Sequence, residues 1–456
     1  MTGFPPGFLW GVATSAYQIE GGVDMDGRGP SIWDTFCAMP GRIRGGDDGR
    51  VAADHRRRWA EDVDLLAELG VGAYRFSIAW PRVQPGGRGA VNQRGLDFYR
   101  SLVDRLLAAG VEPVITLYHW DLPQALEDAG SWPARDTAYR FAEYAAAMGA
   151  ALGDRVRRWS TICEPWCVSM LGYASGIHAP GRSDPGAAVA AAHHVLLAHG
   201  LGVDALRANV ALDPEIAITV NPYPVVAAGG SDADADAARR VDGVANRLWY
   251  DTVLLGRYPD DVLADFSSVS DLSHIVDGDL GVISRPIDAI GINYYRRHHA
   301  RFAANASAAP PTSTWPGSPD VGVVDPGVAT TSSGWAIEPD GLLETLLRLV
   351  RDYDPPAIYV HENGAAFEDR PDAAGYVDDQ DRLDYLRAHV RVAEEALAAG
   401  VDLRGFFVWS FLDNFEWAEG YAIRFGIVRV DYETQRRIPK ASARWYSRLA
   451  RTGEIS

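Results

Sequence analysis

The chain reads as an α/β protein closed into a single (β/α)8 barrel of the TIM type, one catalytic domain over residues 1–456 with elaborated loops at the C-terminal face of the strands. Three observations predict this. Eight short apolar runs alternate with amphipathic stretches along the whole length, the pattern of repeated βα units feeding a parallel sheet. Three helix exits share one form, Leu69-Gly70-Val71, Ala109-Gly110-Val111 and Ala399-Gly400-Val401, in which glycine accepts the positive φ that ends a helix. Just past each run stands a polar or aromatic residue, as expected where chemistry sits on the loops at the strands' C-terminal ends.

Taken in order, the run Phe8 to Ala13 is followed by Gln18. Ala73 to Ala79 contains Arg75 and leads to Trp80. Before it, Trp59, Val63, Leu66 and Leu69 recur at spacings of three and four, one buried stripe of a helix. Pro113 to Tyr118 delivers His119 and Trp120; Trp159 to Ile162 delivers Cys163 and Glu164; Ile216 to Val220 delivers Asn221. Ala289 to Ile292 leads to Asn293 and Tyr295, and Ile358 to Val360 to His361 and Glu362. Gly405 to Trp409 ends on its own indole, with Glu416 and Trp417 beyond. A doubly wound open sheet would carry a Gly-rich phosphate turn after its first strand, and Glu20-Gly21-Gly22 lacks that spacing. Ala227 to Ala238 and Ala303 to Ser333 read as loops on the active face, the second long enough for a lid or rim, with a surface insertion as its alternative.

Composition narrows the function classes. A hydrophobic content of 47% with 23% charged residues is ordinary for a globular protein, and the apolar runs are shorter than a membrane span. No basic stretch and long apolar segment precede Phe8, so a cytoplasmic location is expected. A net charge of −18 repels nucleic-acid phosphates. Lys440 is the sole lysine, which reads as coding bias. Cys37, Cys163 and Cys167 form neither a disulfide framework nor a Cys-x-x-Cys pair, and a zinc site at the latter two would need ligands the sequence does not place. No metal and no cofactor are expected.

Two strand-end residues are glutamates, Glu164 in Thr161-Ile162-Cys163-Glu164-Pro165 and Glu362 in Tyr359-Val360-His361-Glu362-Asn363-Gly364. Either one alone reads as a solvated carboxylate or an arginine partner. Converging at a barrel mouth, they would form the working pair of a retaining glycosidase, in which one carboxyl protonates the leaving oxygen and the other attacks the anomeric carbon.

Longer blocks carry a resemblance. Phe8-Leu9-Trp10-Gly11-Val12-Ala13-Thr14-Ser15-Ala16-Tyr17-Gln18-Ile19-Glu20-Gly21, Tyr74-Arg75-Phe76-Ser77, Leu117-Tyr118-His119-Trp120-Asp121, Asn293-Tyr294-Tyr295, Val408-Trp409-Ser410-Phe411-Leu412-Asp413-Asn414-Phe415-Glu416-Trp417 and Arg424-Phe425-Gly426 occur in this order. On them the chain resembles glycoside hydrolase family 1, the β-glucosidase family. The resemblance implies Glu164 as acid/base and Glu362 as nucleophile, acting on β-D-glucosides, with β-galactosides or β-fucosides tolerated, through a covalent glycosyl-enzyme. The partner it implies is a small β-glycoside or short oligosaccharide. It implies Arg75 and Tyr295 beside Glu362, and Gln18, His119 and Glu416 on ring hydroxyls. Trp409 and Trp417 would stack on the sugar, with Trp120, Asn293 and Phe425 in the same pocket. Trp335 and Asn221 would contact the aglycone. A cis peptide between Trp409 and Ser410 is also implied. On their own, Arg75 would read as a buried ion-pair partner and His119 as a satisfied core histidine. Glu416, with no lysine in its loop, indicates a neutral rather than a phosphorylated sugar.

Two positions depart from the family. Cys163 stands where the family usually has an asparagine that contacts the sugar 2-hydroxyl, and His361 where it usually has threonine. Strand alternation puts His361 on the face opposite Glu362. A thiol is a poor substitute for an amide donor. A catalytically weakened sugar-binding barrel and a glycosidase for a C2-modified sugar therefore stay open, as does transglycosylation.

Overall fold

The computed structural model describes residues 3–303 and 313–455. Eight parallel strands close into a barrel: β1 (Leu9–Ala13), β2 (Ala73–Ser77), β3 (Glu112–Tyr118), β4 (Arg158–Cys163), β5 (Glu215–Val220), β6 (Ala289–Asn293), β7 (Ala357–Asn363) and β8 (Leu403–Trp409). Each pairs with its sequence neighbours, and β8 closes on β1 in the register Leu9↔Gly405 to Ala13↔Trp409. All eight apolar runs of the sequence are barrel strands, each within a few residues of its expected limits.

Inside the barrel the side chains are mostly small: Ala13, Ala73, Val114, Ala217, Ala289 and Ala357 form one cluster with Tyr359 and Phe407. Large rings enter where glycine makes room. A Cβ on Gly11 would lie 2.3 Å from the Phe407 ring, and one on Gly291 would lie 2.0 Å from Nδ1 of His361. The outward residues of the strands join a larger core with the surrounding helices, among them His55–Leu69, which buries Val63, Leu66 and Leu69. Gly70, Gly110 and Gly400 all take positive φ, 70°, 72° and 93°, at the three helix exits.

Three expectations are corrected. Ala227 to Ala238 is not all loop: Asp232–Asp242 is a helix whose first turn is capped by Ser231 Oγ, which accepts from the Asp234 N–H at 3.1 Å. Within Ala303 to Ser333, residues 304–312 lie outside the described residues, and Val321–Val324 is a strand antiparallel to His298–Phe302, which in turn pairs with Val225–Ala227. Those alanine-rich and serine-rich stretches lack apolar periodicity, so only capping and pairing partners reveal them. Finally, Pro185–Asn209 is long and apolar enough to cross a membrane, yet 78% of its most apolar window is buried inside the protein.

Lys440 has a structural reason to exist. It is fully buried, and its ammonium lies 2.8 Å from Asp369 and 2.9 Å from Asp413. Arg424 pairs with Asp413 at 2.6 Å, and Arg382 donates to the Arg424 carbonyl at 2.9 Å. The cluster ties the loop after β7 to the loop after β8. Removing one partner of a buried ion network leaves uncompensated charge. Lys440→Met should therefore lower unfolding stability by roughly 3–5 kcal/mol, read from the shift of a chemical denaturation midpoint. A loss within about 0.5 kcal/mol, the scale of an ordinary surface substitution, would show that the network does not hold these loops.

Candidate active site

Strict alternation along β7 would send Glu362 outward with Ile358 and Val360, and the strand breaks it; β4 carries a similar irregularity just before Glu164. The β4–β5 register shifts between Ser160 and Cys163, and the β6–β7 register shifts between Val360 and Glu362. Such irregularities re-aim side chains at strand ends. Glu164 follows its shift in a left-handed conformation, φ 51°, fixed by its N–H donating to the Thr219 carbonyl at 2.8 Å. Trp120 and Trp417 on the same cavity also have positive φ, 78° and 52°. Three non-glycine residues held this way around one cavity mark strain of the kind that gathers at functional sites.

The shift in β7 also overturns the expectation that His361 and Glu362 face opposite ways: His361 keeps the inward face of Ala357 and Tyr359, and Glu362 turns in beside it. Its ring lies inside the barrel, 5.7 Å from both Tyr359 and Phe407, and its Nδ1 sits 2.7 Å from Thr219 Oγ1. It fills the space above Gly291 instead of facing the helices. Burial, with the charge of Arg75 next, pulls its pKa well below the usual histidine range.

The two carboxyls are buried and differently partnered. Arg75 donates to Glu362 Oε1 at 2.6 Å and Tyr295 O–H donates to Oε2 at 2.8 Å. Glu164 receives Asn293 Nδ2 at 2.6 Å and the Cys167 thiol at 2.8 Å. Burial, followed by the charge of Glu362, pushes the Glu164 pKa up to about 7 against the lowering effect of those two donors. Glu416 is pushed up to about 8 by burial and then by the charges of Glu362 and Glu164. A cation and a phenol on one carboxyl, and a raised pKa on the other, separate a nucleophile from a general acid. His119 is pulled well down by burial and by Arg75, so its ring is neutral and offers one donor and one acceptor.

These groups surround a cavity of about 290 Å³ lined by His119, Trp120, Glu164, Tyr295, Trp335, Glu362, Trp409, Glu416, Trp417 and Phe425. Its floor and back are built from the remaining sequence candidates. Gln18 Nε2 donates to Asn414 Oδ1, the Phe415 carbonyl and Glu416 at 3.1, 3.0 and 3.3 Å. Cys163 Sγ accepts from Arg75 at 3.2 Å and lies 3.6 Å from Glu362 Oε1, while its carbonyl accepts from Trp120 Nε1 at 2.9 Å. Asn221 bridges Tyr223 O–H at 3.2 Å and Cys167 Sγ at 3.4 Å. The Trp409–Ser410 peptide is cis. Sequence reasoning did not single out Trp166, Cys167, Tyr223 or Arg296 as cavity residues, although all four line it. Each lies one to three positions beyond a residue that was chosen. His119, Cys163 and Glu362 also bring ligand-capable atoms within 4.8 Å of one another. Arg75 bonds two of the three, and its guanidinium opposes a cation there.

A family model described as Glycosyl hydrolase family 1 matches residues 1–455. The thermostable beta-glucosidase B of Thermobispora bispora is 50% identical over 448 residues, covering 98% of this chain and 90% of that protein. The bifunctional beta-D-glucosidase/beta-D-fucosidase of Bifidobacterium breve is 46% identical over 456 residues, 98% of each chain. Among solved structures, the family 1 β-glucosidase of Thermotoga maritima superposes with a TM-score of 0.94 at 44% identity over 100% of both chains. A structure of the β-glucosidase from the same organism with deoxynojirimycin matches equally, TM-score 0.94.

The raised carboxyl is directly testable. An infrared difference titration should show a protonated carboxyl signal present below about pH 7 and lost as pH rises through it, because an acid with a raised pKa holds its proton to higher pH. Glu164→Gln should remove that component and leave the one from Glu416, moved below about 8 because the Glu164 charge that helps raise it is gone. A wild-type spectrum that loses all protonated carboxyl by about pH 5, the ordinary range, would contradict the electrostatics above.

Proposed function

The chain belongs to glycosyl hydrolase family 1, and on that footing we propose how its own residues carry out retaining hydrolysis of β-D-glucosides. Glu362, held by Arg75 and Tyr295, attacks the anomeric carbon, and the bond to the leaving oxygen breaks. Glu164 gives that oxygen its proton. The covalent glycosyl-enzyme is then opened by water, whose proton Glu164 takes back as base. Two displacements at one carbon return the β configuration. The observation that carries this reading is the pair of buried carboxyls in one cavity with unequal partners.

Gln18, Glu416 and His119 serve the ring hydroxyls, and Trp409 with Trp417 provides the apolar wall. A carboxyl at Glu416 disfavours a phosphorylated sugar. The sole lysine is bound to Asp369 and Asp413 and takes no part. β-D-Fucosides are proposed as second substrates, since the Bifidobacterium relative is named for both activities. The test is a panel of aryl β-glycosides differing at C2, C4 and C6. Retaining hydrolysis requires the first-formed sugar to be the β-anomer by NMR.

Glu362→Ala should abolish nearly all turnover, and azide should restore it by entering the vacated space and yielding the α-glycosyl azide. Recovery of a β-azide would overturn the role given to Glu362.

Cys163 supports one refinement. Burial, then the charge of Glu362, pushes its thiol well above the usual range, so beside the nucleophile it presents a neutral, weak hydrogen-bonding group. A sugar's 2-hydroxyl lies next to the attacked carbon, and its hydrogen bonds strengthen in the transition state. Cys163→Asn should raise kcat/KM on aryl β-glucosides by roughly 5- to 150-fold, the equivalent of about 1–3 kcal/mol. If the gain appears instead as a lost preference for 2-deoxy substrates, the natural sugar is modified at C2. No change in either would make Cys163 a neutral replacement.

A further inference from the structure

Arg296 carries a charge that no carboxylate among the described residues answers. It directly follows Tyr295 and lines the cavity together with Trp335 and Tyr223. Its neighbour Arg297 pairs with Glu344 at 3.2 Å and Glu338 at 3.5 Å. Among the described residues no carboxylate lies within 4.0 Å of Arg296; its guanidinium carbon sits 5.1 Å from the Trp335 ring centre and 6.0 Å from that of Tyr223. Burial pulls its pKa below the ordinary arginine range, and the groups that oppose this are Tyr223 and Cys167, neither of them a carboxylate. A partly desolvated cation between two aromatic faces is only partly compensated. It is free to take an anion that enters with a ligand.

The position of Arg296 says which end of the ligand that is. Cys167 donates to Glu164 at 2.8 Å, and Asn221 links Cys167 to Tyr223. The Arg296 cluster therefore adjoins the acid that protonates the leaving oxygen. Glu416 and its partner Gln18 serve a different part of the cavity and would repel an anionic sugar.

We propose that Arg296 selects the leaving group: the aglycone end of this site takes planar aromatic groups bearing a carboxylate, the ring packed against Trp335 and Tyr223 and the carboxylate held by the guanidinium. This rests on the β-glucosidase reading above, which fixes the side on which the leaving group sits. A guanidinium fork matches a carboxylate with two parallel hydrogen bonds, and flanking rings favour a flat partner. A neutral sugar in that position would leave the cation unpaired.

The test uses two non-hydrolysable ligands, 4-carboxyphenyl and 4-carbamoylphenyl 1-thio-β-D-glucopyranoside, titrated calorimetrically into the full-length protein and into Arg296→Met and Arg296→Lys. The wild type should bind the carboxylate about tenfold or more tightly than the amide, the scale of one charged hydrogen bond. The ratio should fall to about one in Arg296→Met and be partly kept in Arg296→Lys. Equal binding of the two ligands by the wild type, or a preference that survives in Arg296→Met, overturns the proposal. Turnover of 4-nitrophenyl β-D-glucoside reports separately on the underlying reading: turnover with equal thioglucoside binding sinks only the role of Arg296. Failure of both thioglucosides to bind, with no turnover, sinks the two together.

Discussion

One buried ion pair, Arg75 with Glu362, sets the electrostatics of the whole cavity. The two side chains are only 1% and 3% exposed, and they meet at 2.6 Å. Burying two charges costs free energy that is recovered only when geometry and further hydrogen bonds are good. Here Tyr295 takes the second carboxylate oxygen, and Arg75 Nη2 reaches Cys163. The pair then acts on its neighbours with opposite signs. The cation pulls His119 and His361 down, and the anion pushes Glu164 and Glu416 up. In each case burial is the larger cause and the pair adds to it. One contact thus assists four shifts, and the electrostatic difference between Glu362 and Glu164, on which their proposed roles rest, follows from where it was placed.

That placement depends on a strand that fails to keep its register. A barrel strand that alternated strictly would put Glu362 among the outward residues with Ile358 and Val360, which belong to the outer core. The register shift beside Val360 turns Glu362 into the cavity, while His361 keeps the inward face of Ala357 and Tyr359 and fills the interior above Gly291. Small inner residues at the bottom of the barrel and missing side chains at Gly11 and Gly291 are what let rings and charges gather at the top. Packing and chemistry are therefore set by the same local irregularities.

Much of this was legible in the sequence. Eight apolar runs became eight strands because a strand buried on both faces needs a continuous apolar run, which is a local signal. Glu164 and Glu362 were identifiable because they follow such runs, and Arg75 and Tyr295 because the blocks around them carry the family resemblance. What stayed hidden was non-local. Nothing in Val360-His361-Glu362 announces a register shift, so alternation wrongly put His361 and Glu362 on opposite faces. Lys440 looked like a compositional accident because Asp369 and Asp413, its partners, are separated from it in the chain. The helix Asp232–Asp242 was hidden by composition, and only the Ser231 cap, with Asp234 three residues on, could have announced it. Arg296 drew no notice because an unpaired charge is a property of its surroundings.

Cys163 shows how far the ion pair reaches. Its sulfur sits between the guanidinium and the Glu362 carboxylate, 3.2 Å from Arg75 and 3.6 Å from Glu362 Oε1. Burial and the carboxylate charge keep the thiol protonated, so it adds no negative charge to compete for the guanidinium. An amide there could divide its hydrogen bonds between the carboxylate and a ligand hydroxyl; a thiol offers one weak donor and a soft acceptor. The charge of Arg75 is consequently directed at Glu362 almost alone. With Glu362 in its proposed role, this arrangement favours holding the nucleophile over gripping the substituent beside the attacked carbon. In this chain the floor of the cavity relies on a cation to position the carboxylate of Glu362, and under the proposed roles substrate discrimination moves outward to Gln18 and Glu416 on one side and to the aromatic faces around Arg296 on the other.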